Sequence, residues 1–327
     1  MTNTLAPLRI GILGAAKIAP TAMVLPARAT GVATVVAVAA RDPIRAQVFA
    51  DQHGIPEIAE TYEELIARPD IEAIYNALTP SRHADLSIAA LQAGKHVLCE
   101  KPFAMNAGEA RAMVAASLAS GKVLMEAFHY RYHPLFARVL EIIGSGELGE
   151  VRDLSAVFQT GLVDDGTEIR YERDLGGGSL MDIGTYPLHW VRTAAWAEPT
   201  VVRASGVFGR GGVDHATQAE LLFPNGATAR ISGSMVEETP MALLEVTGTL
   251  GSLKAVNPLA PQVGHLLEVT VGGGPPRRET FSREPTYDFQ LRAFAEACRG
   301  GPPPLTSGKD SIAQMELLDA VSAASRA

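Results

Sequence analysis

Glu100 and Lys101 close the stretch "GKHVLCEKP", directly after the apolar run Val97–Cys99, and Pro102 follows them. A strand that ends on a lysine delivers an amine beyond its carboxyl end. In open parallel sheets that is where ligands bind. Oxidising an alcohol removes a hydride from carbon and a proton from oxygen. A lysine amine takes or polarises such a proton when burial or a nearby cationic ring lowers its pKa from about 10.4. Oxidised nicotinamide is such a ring. Pro102 restricts Lys101 to extended conformations. The isomer of the bond between them is not legible at this level. The competing expectation is a solvated loop lysine paired with Glu100.

A second candidate opens at Gly14, in "GAAKIA". A dinucleotide loop of the Rossmann type wants Gly-x-Gly-x-x-Gly between a strand and a helix. The first glycine turns the chain, the second admits the pyrophosphate to the backbone, and the third allows close helix packing. Ala16 and Ala19 stand at the second and third places. Alanine is the smallest substitute, so Gly14, Ala15, Ala16, Lys17 and Ile18 are expected to line a cofactor with slightly looser contact. The alternative is an ordinary strand-to-helix turn.

The next strand ends "AARDP". An NAD site usually carries an acidic residue there for the ribose hydroxyls. Arg41 instead offers a planar cation to a 2′-phosphate. Asp42 follows and remains able to serve a ribose. The expectation is NADP, with NAD possible.

These groups need elements to hold them. Residues 8–14, 32–40, 71–78 and 95–99 read as buried strands with helical stretches between them. "NAGEARAMVAASLASG" opens on Asn106 with Glu109 three residues on, a capping-box pattern. Strands alternating with helices predict a doubly wound parallel sheet covered on both faces. From about Glu150 the strands alternate in polarity. Asn225-Gly226 sits between two of them, a hairpin signal, and "EVTGTLGSLKAV" reads as a second hairpin. This predicts a large, mostly antiparallel open sheet in an α/β second domain. Helices are expected near 286–299 and 309–325. The domains are expected to be 1–125, binding dinucleotide, and 126–327, binding substrate and self-associating.

The whole chain narrows the classes. A net charge of −8 with no run of Lys or Arg argues against nucleic acid. Two cysteines make no disulfide framework and fit a reducing cytosol. "MTNTLAPLRIG" has no secretory pattern. The longest apolar run, "GVATVVAVAA", is about half a membrane span. A cytoplasmic protein that engages no membrane is expected.

"RIGILGAAKIA", "TPSRHADLSIAALQAGKHVLCEKP" and "GGGSLMDIGTYPLHW" together resemble the Gfo/Idh/MocA oxidoreductases, over nearly the whole chain. The Glu-Lys-Pro motif is the more specific part. "EAFHYRYHP" and "LMDIGTYP" look closest to the branch of dihydrodiol and xylose dehydrogenases and to some keto-sugar reductases. The resemblance implies that Lys101 is the lysine of the catalytic motif. It also implies that Thr79, Pro80, Ser81 and His83 lie along the cofactor, with Glu100 and Lys101 beside them.

Many members of that family carry Asp-x-Gly-x-His-x-x-Asp in the third stretch. This chain keeps Asp182 and Gly184 but has Tyr186 in place of the histidine and His189 in place of the second aspartate. A phenol, with an ordinary pKa near 10, then becomes the candidate acid/base, with Lys101 as its activating partner. Asp182 is expected to hold substrate or to fix the site. The alternative makes Tyr186 a packed aromatic. His189 reads as an ordinary helix residue.

Glu126, His129 and His133 raise a metal and do not support one. Two ligating histidines must share a helical face, and Pro134 takes His133 out of helical geometry. Tyr130, Arg131 and Tyr132 instead suit a hydroxylated substrate, or packing beneath the pocket. The expected activity is transfer of hydride between NADP and a hydroxyl or carbonyl carbon of a small sugar or vicinal diol. Rival readings are a keto-sugar reductase of deoxysugar biosynthesis, a non-catalytic NADP sensor, and transient oxidation serving elimination. The partly apolar second sheet predicts a homodimer or tetramer.

Overall fold

Aliphatic residues supply most of the first two strands, and the chain lays them side by side. The computed structural model describes residues 6–163, 166 and 168–327. Its first sheet holds β1 (Leu8–Leu13), β2 (Ala33–Ala39), β3 (Glu57–Ala59), β4 (Ala73–Asn76), β5 (His96–Cys99) and β6 (Leu124–Glu126). The order is β3-β2-β1-β4-β5-β6 and every pairing is parallel. Strand order reverses at the β1–β4 neighbourhood, which opens a crevice at their carboxyl ends. β3 and β6 went unread because three residues carry no period.

Local chemistry sets the helices between these strands. Asp42, Thr61 and Asn106 cap helices Pro43–His53, Tyr62–Ala67 and Ala107–Ser120 through their side-chain oxygens. Glu109 completes the last cap by accepting from the Met105 amide. Lys95, of the "GKHV" stretch, is buried and donates its ammonium to the carbonyls of Arg68 at 2.6 Å and Ile71 at 2.7 Å. It therefore holds the chain that follows helix Tyr62–Ala67.

The chain forms two compact units, residues 1–132 with 285–312, and residues 133–284 with 313–327. This differs from a single division at residue 126. Leu291, Phe294 and Ala295 of helix Thr286–Cys298 sit in one core cluster with Ile10, Ile12, Val38, Tyr75, Leu98 and Met125. Burying a Phe side chain contributes about 1.5–3 kcal/mol, enough to bind this late helix to the first unit.

The second unit is built on β7 (Val151–Gly161), β8 (Thr200–Phe208), β9 (Asp214–Leu222), β10 (Thr228–Ser234), β11 (Val236–Gly248), β12 (Gly251–Val256), β13 (Leu266–Val271) and β14 (Arg277–Glu279). The order is β14-β13-β12-β11-β7-β10-β9-β8, antiparallel except where β10 runs parallel to β7. Asn225-Gly226 turns β9 into β10, with Gly226 at φ +85°, and β11 with β12 forms the second hairpin. One face is apolar and buried: Leu154, Ala156, Leu221, Ile231, Leu244 and Val246. The other carries Arg203, Glu220, Arg230 and Ser232 around a shallow concavity. Among the described residues, no helix is long and apolar enough to cross a membrane.

Candidate functional site

The dinucleotide loop forms at the end of β1. Gly14 has φ +98°, and a Cβ there would come within 2.9 Å of the Leu78 side chain, so the turn requires glycine. Ala15 and Ala16 are partly exposed, and Lys17 and Ile18 are exposed. Ala19, at the third glycine place, is wholly buried. The helical stretch that follows begins at Pro20. A small-residue turn, a helix start and a parallel sheet edge fit a dinucleotide pyrophosphate.

Beyond β2, Arg41 is exposed and Asp42 is occupied as a helix cap, its Oδ1 accepting from Ile44 N at 2.9 Å. Arg45, one turn on, places Nη2 3.5 Å from the Ala15 carbonyl. A second guanidinium thus belongs to this corner. Nothing in its sequence context marks Arg45, because its link to the loop is made only in the folded chain.

After β4, Asn76 is wholly buried and braces the next turn. Its Nδ2 donates to Ser87 Oγ at 3.1 Å and to the His83 carbonyl at 3.3 Å, while its Oδ1 accepts from Leu78 N. Thr79, Pro80 and Ser81 are partly exposed above it, and Thr79 Oγ1 lies 3.1 Å from Ser81 Oγ. His83, expected along the cofactor, is wholly buried, with Nδ1 2.9 Å from the Pro102 carbonyl and Nε2 3.0 Å from the Leu78 carbonyl. It ties two loops together through their backbones. Burial holds its pKa down to about 4, against the pull of both carbonyls; the neutral ring then donates to only one of them.

Lys101 follows β5, partly exposed, and its bond to Pro102 is cis. Glu100, also expected at the cofactor, is 8% exposed, and its Oε1 accepts from Tyr75 Oη at 2.6 Å. His129 is buried, with Nδ1 2.7 Å from Thr286 Oγ1 and its ring on Tyr287 at a centroid distance of 4.1 Å. Burial, and then the Lys101 charge, lower its pKa to about 3. His133 caps helix Pro134–Gly144, its ring accepting from Leu135 N. Each ring thus has a structural partner. Tyr130 is wholly buried, edge-on to Phe128 and His129. Arg131 beside it is partly exposed.

In the second unit, Tyr186 lies in the first turn of helix Thr185–Ala195 and is 6% exposed. Its ring meets Phe158 edge-on at 5.4 Å and lies 6.5 Å from Trp190. Gly184 explains the small residue before it. A Cβ on Gly233 of β10 would stand 2.8 Å from the Gly184 Cα, so two glycines let helix and sheet touch. Gln314 donates to the Thr185 carbonyl at 2.8 Å and accepts from buried Arg192 at 3.0 Å. These contacts hold the turn that carries Tyr186.

Asp182, one turn earlier, accepts from Arg170 Nε at 2.6 Å, and Glu168 accepts from Arg170 Nη1 at 3.0 Å. Burial works against the Arg170 charge, and the two carboxylates outweigh it, so its pKa is raised. Asp182 is therefore a paired carboxylate that orders this loop. Arg170 was not singled out from sequence, and no local pattern distinguishes it.

Comparison with known proteins agrees along the chain. Residues 8–128 match the Gfo/Idh/MocA oxidoreductase family, NAD-binding Rossmann fold, and residues 136–254 match the GFO/IDH/MocA C-terminal domain. The D-xylose 1-dehydrogenase (NADP(+)) 2 of Haloferax volcanii is 36% identical over 313 residues, 95% of each chain. The trans-1,2-dihydrobenzene-1,2-diol dehydrogenase of Xenopus laevis is 36% identical over 67% of this chain and 66% of its own. A 3-ketoreductase from Actinomadura kijaniata, solved with NADP and TDP-benzene, superposes with a TM-score of 0.90 at 30% identity, covering 97% of this chain and 98% of its own. With its parallel nucleotide-binding sheet, its lysine after β5 and these matches over both units, the chain belongs to the Gfo/Idh/MocA family of oxidoreductases.

Proposed function

We propose that this protein is an NADP-dependent oxidoreductase acting on a hydroxyl of a small sugar or vicinal diol, or on the corresponding carbonyl. One observation carries the reading. Lys101 emerges at the same carboxyl edge of the sheet as the Gly14 loop, the Arg41–Arg45 corner and the Thr79–Ser81 turn. The names of the xylose and dihydrodiol dehydrogenases support the substrate class.

Bound NADP supplies the hydride acceptor, and NADPH the donor. The Gly14–Ile18 loop and the helix start receive the pyrophosphate. Arg41, joined by Arg45, receives the 2′-phosphate. Thr79, Pro80 and Ser81 line the cofactor, and His83 holds their loop to the Lys101 loop. Tyr186 and Lys101 are the groups that handle the hydroxyl proton. Asp182, ordered by Arg170, and Arg131 contact the substrate's other hydroxyls.

The ketoreductase likeness supports the reductive direction on a keto-sugar as a second reading. The open sheet face supports a homodimer or tetramer, and two free cysteines suit a reducing cytoplasm. A panel of aldoses, diols and keto-sugars, followed by NADPH absorbance in both directions, tests the proposal. Turnover of a sugar or diol with net cofactor reduction is expected. Tight NADP binding with no turnover across the panel would favour a sensor instead.

A further inference from the structure

We infer that Tyr75 is a positioning residue for Lys101, acting through Glu100. The inference rests on the proposed role of Lys101. Tyr75 pairs with Leu98 across β4 and β5. Alternate strand residues share a face, so the Tyr75 ring and Glu100, two residues past Leu98, lie on one side. The ring is wholly buried, and its hydroxyl donates to Glu100 Oε1 at 2.6 Å. The other carboxylate oxygen accepts from the backbone N–H of Lys101 at 3.3 Å. A path of two hydrogen bonds therefore runs from the floor of the sheet to the backbone of the lysine.

The chemistry of the pair favours a fixed geometry. A carboxylate with 8% exposure needs strong donors to stay ionised, and a phenol at 2.6 Å is a charge-assisted one. Glu100 N donates to the Asn76 carbonyl at 3.0 Å, which registers the main chain of the motif against β4. Loss of the Tyr75 hydroxyl removes its hydrogen bond to Glu100 Oε1 and so weakens the brace that Glu100 Oε2 gives the Lys101 backbone.

The test compares Tyr75→Phe, Glu100→Gln and the double variant on the panel substrate turned over fastest. Glu100→Gln has one acceptor oxygen for two donors, so it breaks the same path. Each single variant should lower kcat about tenfold. KM and NADPH affinity should hold within about twofold, and the double variant should be no worse than the poorer single one. Wild-type kcat in Tyr75→Phe overturns the inference. So do multiplicative losses, or kcat, NADPH affinity and Tm falling together, which mark a merely structural hydroxyl. Should Tyr75→Phe fail to fold, Glu100→Gln decides by the same split between kcat and KM. Lys101→Ala separates the two levels. An active Lys101→Ala removes the role of Lys101 itself, whereas an inactive one beside an unaffected Tyr75→Phe removes only the positioning role.

Discussion

The Nδ1 atom of His83 lies 2.9 Å from the carbonyl oxygen of Pro102, and the ring is wholly buried between the cofactor turn and the lysine loop. Burial makes its charged form costly, and its pKa falls from 6.5 to about 4. His96 falls to about 4 and His129 to about 3, each chiefly through burial. Between those values and 6.5 the unfolded chain binds protons that the folded chain does not. Stability is therefore fully present above about pH 6.5 and declines as pH falls toward 4. The His83 contribution is on the order of 3 kcal/mol. Thermal unfolding from pH 8 to pH 4.5 should show a falling Tm below about 6.5, with a shallower slope in His83→Gln. A Tm flat from pH 7 to pH 5 would contradict this.

Arg41 and Arg45 should share the choice of cofactor. Losing a charge-assisted contact to phosphate should weaken NADP binding by about 1.5–3 kcal/mol for Arg41→Ala. Arg45→Ala should act in the same direction, and NAD binding should change little in either. Fluorescence titrations with NADPH and NADH measure both. Equal losses for the two cofactors would remove the assignment and promote Asp42, despite its cap.

The contact between Gly184 and Gly233 should be intolerant of a methyl group. A Cβ on Gly233 meets the Gly184 Cα at 2.8 Å, and overpacking of this kind costs about 1–3 kcal/mol. Urea unfolding of Gly233→Ala should show that loss. Turnover should fall as well, because the displaced turn carries Tyr186. A variant with unchanged midpoint and kcat would show that helix and sheet can separate freely here.

Much of this fold was legible because periodicity and turn chemistry are local. A Leu/Ile run marks β1 and a Val/Ala run marks β2, Asn225-Gly226 marks the β9–β10 hairpin, and Asn106 with Glu109 marks a helix start. What was missed is tertiary. Residues 285–312 join the first unit because Phe294 is buried there, and no pattern in that segment names its host core. Resemblance placed His83 and Glu100 near the cofactor but carried no side-chain direction, and both point into the protein. Tyr75, Asn76, Arg45 and Arg170 escaped notice since each acquires its role from a partner distant in sequence.

Self-association should run through the open face of the second sheet. Arg203 pairs with Glu220 and Arg230 with Asp153 on that face, so it is polar as well as partly apolar. Light scattering across a dilution series should give a multiple of the 34.5 kDa chain mass. Charge reversal at Arg203 or Arg230 should shift it toward the monomer. A constant monomer mass would leave the face merely solvated.

We propose that Lys101 and Tyr186 both serve the proton transfer that accompanies hydride transfer. The direct measurement is steady-state NADPH absorbance for Lys101→Ala, Tyr186→Phe and the double variant, on the best substrate of the panel. Each single change should lower kcat by roughly a hundredfold or more while NADPH affinity survives, and the double variant should be little worse than either. A fully active Tyr186→Phe, or strictly multiplicative losses, would contradict the account.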